Sequence, residues 1–183
     1  RVETGTYIVE IEKAEPCEAE DARPFSPGTG KTFILFSDDL DKTLATFVLA
    51  NGAAATGKKV SIFFTFWGLN AIKKVHKPKV DKDLFGKMFS WMPPSDSTKL
   101  ALSKMNMFGI GAKMMRYLMK QKGVDSLETL RQQAIDNGVE FIACQMSMDV
   151  MGVKREELLD NVCIGGVASY MERAEKANVN LFI

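Results

Sequence analysis

Two almost uninterrupted apolar runs constrain this chain more than any other feature. Thr32-Phe33-Ile34-Leu35-Phe36 and the stretch from Val60 to Phe66 lack the alternation of a strand with one wet face. Strands apolar throughout are buried on both faces, and such strands sit in parallel sheets covered by helices. The order of elements around them agrees. After the first run, Leu40, Leu44, Phe47 and Val48 recur at helical spacing until about Gly57. Ser37 is placed to cap that helix, with Asp38 and Asp39 in its first turn. Beyond the second run, residues 69–76 read as a short helix and 127–137 as a helix closed by Gly138. Residues 140–144 read as a strand, 154–159 as helix and 162–164 as a short strand. A helix over 168–177 and a strand over 180–183 complete the series. Strand followed by helix, repeated, predicts a three-layer α/β fold: a mainly parallel sheet with helices on both faces.

Two stretches stand outside that rhythm. Tyr7-Ile8-Val9-Glu10-Ile11-Glu12 alternates apolar with acidic and reads as a half-buried strand. Residues 14–30 are acidic, rich in proline and glycine, and nearly free of hydrophobes, which is the texture of a linker. The folded domain is therefore expected over 31–183. The chain opens on Arg1-Val2-Glu3, as a processed product or excised piece would. Residues 81–122 interrupt the alternation again, with Pro93-Pro94, a glycine-containing turn at 109–111 and a helix over 112–120. Seven of the eleven methionines fall between Met88 and Met119. Methionine there fills an irregular core or forms an adaptable contact surface. Its apolar side chains are expected to be covered, by this chain or by a neighbouring copy.

Composition excludes several function classes. At 183 residues, 46% hydrophobic, the chain has the makeup of one ordinary globular domain. Lysine and arginine number 24 against 23 acids. That balance gives no electrostatic case for nucleic acid or an anionic membrane, although net charge says nothing about distribution. The longest apolar runs fall far short of the roughly 20 residues of a membrane span. Neither partner class is expected. The three cysteines, Cys17, Cys144 and Cys163, form no CxxC pair, and the odd count argues against a secreted disulfide framework. With His76 as the single histidine, no metal site and no cofactor are expected. The predicted location is cytoplasmic.

Pro27-Gly28-Thr29-Gly30-Lys31-Thr32 has the ending of a phosphate-binding loop, but Phe25 stands where the pattern needs its first glycine. The loop also precedes a strand, whereas phosphate binding needs it to open a helix. Cys144 is the stronger candidate. It closes the predicted strand Phe141-Ile142-Ala143-Cys144, and ligands of open α/β sheets collect beyond the carboxyl ends of strands. Ser147 is placed to cap a short helix ended by Gly152, and a thiol beside a helix start has its anionic form favoured. The bland alternative is a cysteine serving as a small buried hydrophobe. Ser37 and the amides after Cys144, those of Gln145 and Ser147 among them, are candidate stabilisers of the anion. Cys163, inside a strand, reads as core. Gly165-Gly166 beyond it would let backbone approach a ligand closely. Cys17 lies among acids that disfavour a thiolate, and His76 among lysines reads as solvated.

Several of these segments, taken together, resemble one family. They are Phe36-Ser37-Asp38-Asp39-Leu40-Asp41-Lys42, the stretch through Trp67-Gly68-Leu69, Leu102-Ser103-Lys104-Met105-Asn106-Met107-Phe108-Gly109-Ile110-Gly111, Ala143-Cys144-Gln145-Met146-Ser147 with Met151-Gly152, and Leu181-Phe182-Ile183. The pattern is similar to the DsrE/DsrF-like proteins, in the branch described as peroxiredoxin-like or putative sulfurtransferase. The resemblance covers about residues 31–183 and implies a five-stranded parallel sheet and a homo-oligomer. It implies a sulfur carrier or sulfurtransferase holding a persulfide on Cys144 and exchanging it with sulfur-carrying or thiol partner proteins. Residues 1–13 are similar to the last strand of a TusA-like sulfur-carrier domain. Two other readings stay open: a non-catalytic oligomerisation or partner-docking module using residues 81–122, or a thiol peroxidase in which Cys163 would have to approach Cys144.

Overall fold

The computed structural model describes residues 29–75 and 96–183. The expected strand, the expected linker through residue 28, Cys17, His76 and the Pro93-Pro94 stretch lie outside them; Gly30, the linker's expected last residue, opens the first strand. The described chain forms β1 (Gly30–Leu35), α1 (Leu40–Ala55) and β2 (Val60–Phe64), then, after a seven-residue 3-10 helix (Phe66–Ile72), α2 (Ile110–Gln121) and α3 (Leu127–Asp136). β3 (Glu140–Cys144), α4 (Gln145–Met151), β4 (Val162–Gly165), α5 (Val167–Glu175) and β5 (Ala177–Phe182) complete it.

The five strands form one sheet in the order β4-β3-β2-β1-β5, every neighbouring pair parallel. This order explains the layers. Steps from β1 to β4 all move one way across the sheet, so right-handed crossovers put their helices on one face. The last step, from β4 back past β1 to β5, moves the other way and delivers α5 to the opposite face. Burial confirms it. Leu40, Phe47 and Ala50 of α1, Leu127 and Ala134 of α3, and Met148 and Met151 of α4 share one core with Phe33, Leu35, Ile62, Phe64, Phe141 and Ala143. Phe47, Phe64 and Phe141 pack ring against ring there, with centroids 5.3–6.3 Å apart. The alternate strand residues Phe63, Ile142 and Cys144 join Tyr170 of α5 in a second, smaller cluster on the other face.

Strand identity follows exposure. β2, central and buried at every position, is the second apolar run shortened by two residues. β3 has the predicted bounds. β4 lies at a sheet edge, so Cys163, expected in the core, is only half-buried. The helix expected over 154–159 is a single 3-10 turn, Arg155–Glu157. Among the described residues no helix is long and apolar enough to cross a membrane.

Among the described residues, α5 is the helix that covers its face, and an ion pair pins it. The Arg173 guanidinium donates through Nε and Nη2 to the two Glu140 carboxylate oxygens at 2.7 and 2.5 Å, while Ser61 Oγ donates to Oε2 at 2.8 Å. Both charged side chains are largely covered. A bidentate pair shielded this way is worth more than a surface ion pair, because removing one partner strands the other charge. Arg173→Leu is expected to cost about 2 kcal/mol in urea denaturation, with Glu140→Leu in the same chain recovering part of the loss. Equal stability of parent and single variant would show that the pair does not hold α5.

Candidate functional site

The chemistry-bearing residues gather where the strands end. Cys144 is both the last residue of β3 and the residue from which α4 starts, with φ −69° and ψ 114°. Its thiol is free but 1% exposed, packed with Phe63, Ile142 and Tyr170. The Phe63 and Tyr170 rings approach to 5.3 Å in the same cluster. The open position expected at a strand's carboxyl end is therefore absent, because α5 crosses that face and lays Tyr170 over it. Cys163 pairs with Ile142 on the neighbouring strand, one alternate position behind Cys144 on the same face.

Gly165 pairs directly with Cys144. A methyl group there would sit 2.9 Å from Ile142 Cγ2 and 3.2 Å from Ser169 Cβ, so only glycine lets α5 begin this close to β3. Gly166, the residue before α5, has open space around it. Ser147 differs from expectation. α4 starts at Gln145, so Ser147 lies inside the first turn and caps nothing; its buried Oγ shares a 2.8 Å hydrogen bond with Thr65 Oγ1. That bond ties the start of α4 to the end of β2. Gln145 is exposed and donates to Asp149 one turn on. Ser37 does not cap α1 either. Asp39 stands at the N-cap, and the Ser37 hydroxyl donates to the Asp39 carboxylate at 2.8 Å and accepts its N–H. Since β2 separates β1 from β3, Ser37 is not brought to Cys144.

Three features at this edge escaped the sequence reading. Phe66 carries φ +46°, a strained value for a bulky residue, where β2 turns into the 3-10 helix. Gly68 passes so close beneath β1 that a Cβ would lie 2.0 Å from the Leu35 carbonyl oxygen. Asn70, fully buried, donates to Asp38 Oδ2 at 3.0 Å and accepts from the buried Lys73 ammonium at 2.6 Å. An acid, an amide and a lysine spread over 38–73 show no motif spacing. Only the β1–β2 register assembles them. Among the described residues, no group of three or more His, Cys, Asp or Glu side chains is placed to hold a metal ion.

A five-stranded parallel sheet wound in this order, with a free cysteine ending β3, defines an α/β protein with helices on both faces of the sheet. Residues 28–182 match the DsrE/DsrF/DrsH-like family, and the chain belongs to that family. It is 46% identical over 152 residues to the uncharacterized protein YrkE of Bacillus subtilis, covering 83% of this chain and 95% of that one. It is 36% identical over 152 residues to the sulfur carrier protein DsrE2 of Allochromatium vinosum, covering 79% and 91% respectively. Among solved structures, the ychN protein of E. coli overlays with a TM-score of 0.49 at 11% identity, over 85% of this chain and 100% of its own.

Burial pushes the Asp38 carboxyl above its ordinary value of 3.8, while the Asn70 bond and the Lys73 charge pull it back. A carboxyl raised in the fold contributes stability below its unfolded pKa and loses it as pH rises through the folded value. Asp38→Asn keeps an acceptor for Asn70 and cannot ionise. It is expected to melt above the parent at neutral pH, with the difference closing as pH falls below the ordinary aspartate range. A variant that melts lower at neutral pH would mean that attraction to Lys73 outweighs burial.

Proposed function

We propose that this protein is a sulfur carrier and that Cys144 bears the sulfur. The observation that carries the reading is positional: a free cysteine ends a central buried strand and opens a helix, in a chain 36% identical to a sulfur carrier protein. The chemistry needs no oxidant. The Cys144 thiolate attacks the outer sulfur of a donor persulfide, the donor's S–S bond breaks, and the donor leaves as a thiolate. An acceptor thiolate then attacks the outer sulfur held on Cys144, restoring the Cys144 thiolate. Partners are accordingly proteins that present a persulfide or a thiol. A homo-oligomer and a cytoplasmic setting belong to the same proposal.

Burial sets a condition on this mechanism. The donor's outer sulfur must reach Cys144 Sγ, and the acceptor thiolate must then reach the outer sulfur held there; a thiol 1% exposed offers neither approach. Exchange therefore follows displacement of the cover over Cys144, and alkylation of Cys144 in the resting protein is slow, contrary to the ready access expected from its strand-end position. The same burial favours a second reading, a non-catalytic docking module in which Cys144 only fills space.

The two readings part in one experiment. The protein and its Cys144→Ala variant are incubated with a persulfide donor, and peptides are mapped by mass. The expected result is one added sulfur on the parent peptide containing Cys144, removable by a small thiol. No sulfur at Cys144 after prolonged incubation, in a protein that remains folded, sinks the carrier reading and leaves the docking module.

A further inference from the structure

We propose that α2 is a docking face for an anionic membrane surface. The argument starts from charge distribution, which a net charge of +1 conceals. Residues 97–124 contain Lys99, Lys104, Lys113, Arg116, Lys120 and Lys122 and not one acid. Carboxylates from elsewhere in the chain reach its start, Asp41 bonded to Ser103 and Glu128 to Ser97, while the helix Ile110–Gln121 itself carries Lys113, Arg116 and Lys120 and no acid.

The helix within it faces the wrong way for a core element. Its buried residues are Gly111 and Ala112, the two smallest. Outward it shows Ile110, Met114 and Tyr117, which are 63%, 52% and 61% exposed, with Leu118 beside them. Positions 110, 114, 117 and 118 share one side at 3.6 residues per turn, and the exposed Lys113 and Lys120 line one flank of it. The turn before the helix exposes Met105 and Met107 as well. The sequence predicts that these side chains are covered by this chain or by a neighbouring copy, and among the described residues this chain leaves Ile110, Met114 and Tyr117 exposed. A Cβ at Gly111 would meet the Met105 carbonyl oxygen at 2.1 Å, so the glycine lets the preceding turn fold back against the start of the helix.

Charge selects the occupant. Lysine is depleted from protein–protein interfaces, whereas an apolar stripe flanked by lysine is what lies in the headgroup region of anionic bilayers. A second copy of the chain would bring another helix with only cations against the first. Tyr117, with an apolar ring and a polar tip, suits the headgroup boundary. Twelve residues make a helix about 18 Å long, too short to span the roughly 30 Å of hydrocarbon, so it lies flat on the surface.

The test is co-sedimentation of the full chain with vesicles of phosphatidylcholine alone and of phosphatidylcholine mixed equally with phosphatidylglycerol. Binding is expected to the mixed vesicles only, and to vanish near 1 M salt, where screening acts within about 3 Å. Lys113→Gln with Lys120→Gln should weaken it about tenfold or more. Met114→Ser with Tyr117→Ser should abolish it while leaving the melting curve in place, since all four side chains are exposed. No binding to mixed vesicles, equal binding to neutral ones, or full binding by the variants overturns the proposal. Self-association lost in the same variants without vesicle binding also overturns it, and assigns the face to protein contact.

Discussion

Among the described residues, one nine-residue helix, α5, covers a sheet face whose counterpart is shared by α1, α3 and α4. The asymmetry comes from winding order. Once β1 through β4 have been laid in sequence across the sheet, a right-handed return to the far side of β1 can place only one helix on the opposite face. The larger core holds the triad of Phe47, Phe64 and Phe141 and most of the buried aliphatic side chains. The smaller holds Phe63, Ile142, Tyr170 and the Cys144 thiol. Burying a side chain of that size contributes roughly 2 kcal/mol, so the large face carries most of the hydrophobic stability of the described chain. The α5 face depends instead on a few contacts of higher specificity, chiefly the Tyr170 ring and the Arg173–Glu140 pair.

The carboxyl edge of the sheet is built to bring chain segments close together, at a cost in backbone freedom. Gly68 slides beneath the Leu35 carbonyl, Gly165 admits the start of α5 beside Ile142, and Phe66, two residues before Gly68, accepts a left-handed conformation. The Thr65–Ser147 hydroxyl pair then locks α4 to β2. Each contact joins residues far apart in sequence. The edge exists only once the sheet has formed, and no part of it is expected to survive in an isolated fragment.

Sequence pattern carried the sheet well because burial on both faces writes itself into composition. β2 and β3 read as strands from apolar content alone, and the change of face for α5 follows from order and handedness. Side-chain hydrogen bonds were less legible. Ser37 and Ser147 both stand where a helix cap is plausible, yet each finds another partner: Ser37 the Asp39 next in its own loop, Ser147 the distant Thr65. A capping preference of about 1 kcal/mol is easily outweighed when a tertiary partner is available. Cys163 misled for a different reason. A strand reads as buried from its residue types, but whether it lies at the edge is decided by pairing order, which short strands do not encode. The exposed apolar side of α2 was invisible for the same kind of reason, since periodicity shows that a helix has an apolar stripe but not which way the stripe points.

The position of Cys144 poses one physical question, how a thiol sealed from water can take part in exchange. The answer turns on what seals it. Among its nine residues, α5 contributes a single buried side chain, Tyr170, hydrogen-bonded to Thr32, with Ala174 partly buried beside it and the ion pair through Arg173. Elements with few buried contacts open locally at a free energy well below that of global unfolding. β3 has the opposite character, with Phe141, Ile142, Ala143 and Cys144 all buried between two paired strands. On the carrier reading, the strand holding the sulfur is therefore rigid and the helix above it is the yielding part. Access to Cys144 is then governed by the stability of α5, and a partner that binds α5 in its displaced position would admit its own thiol while leaving the sheet intact.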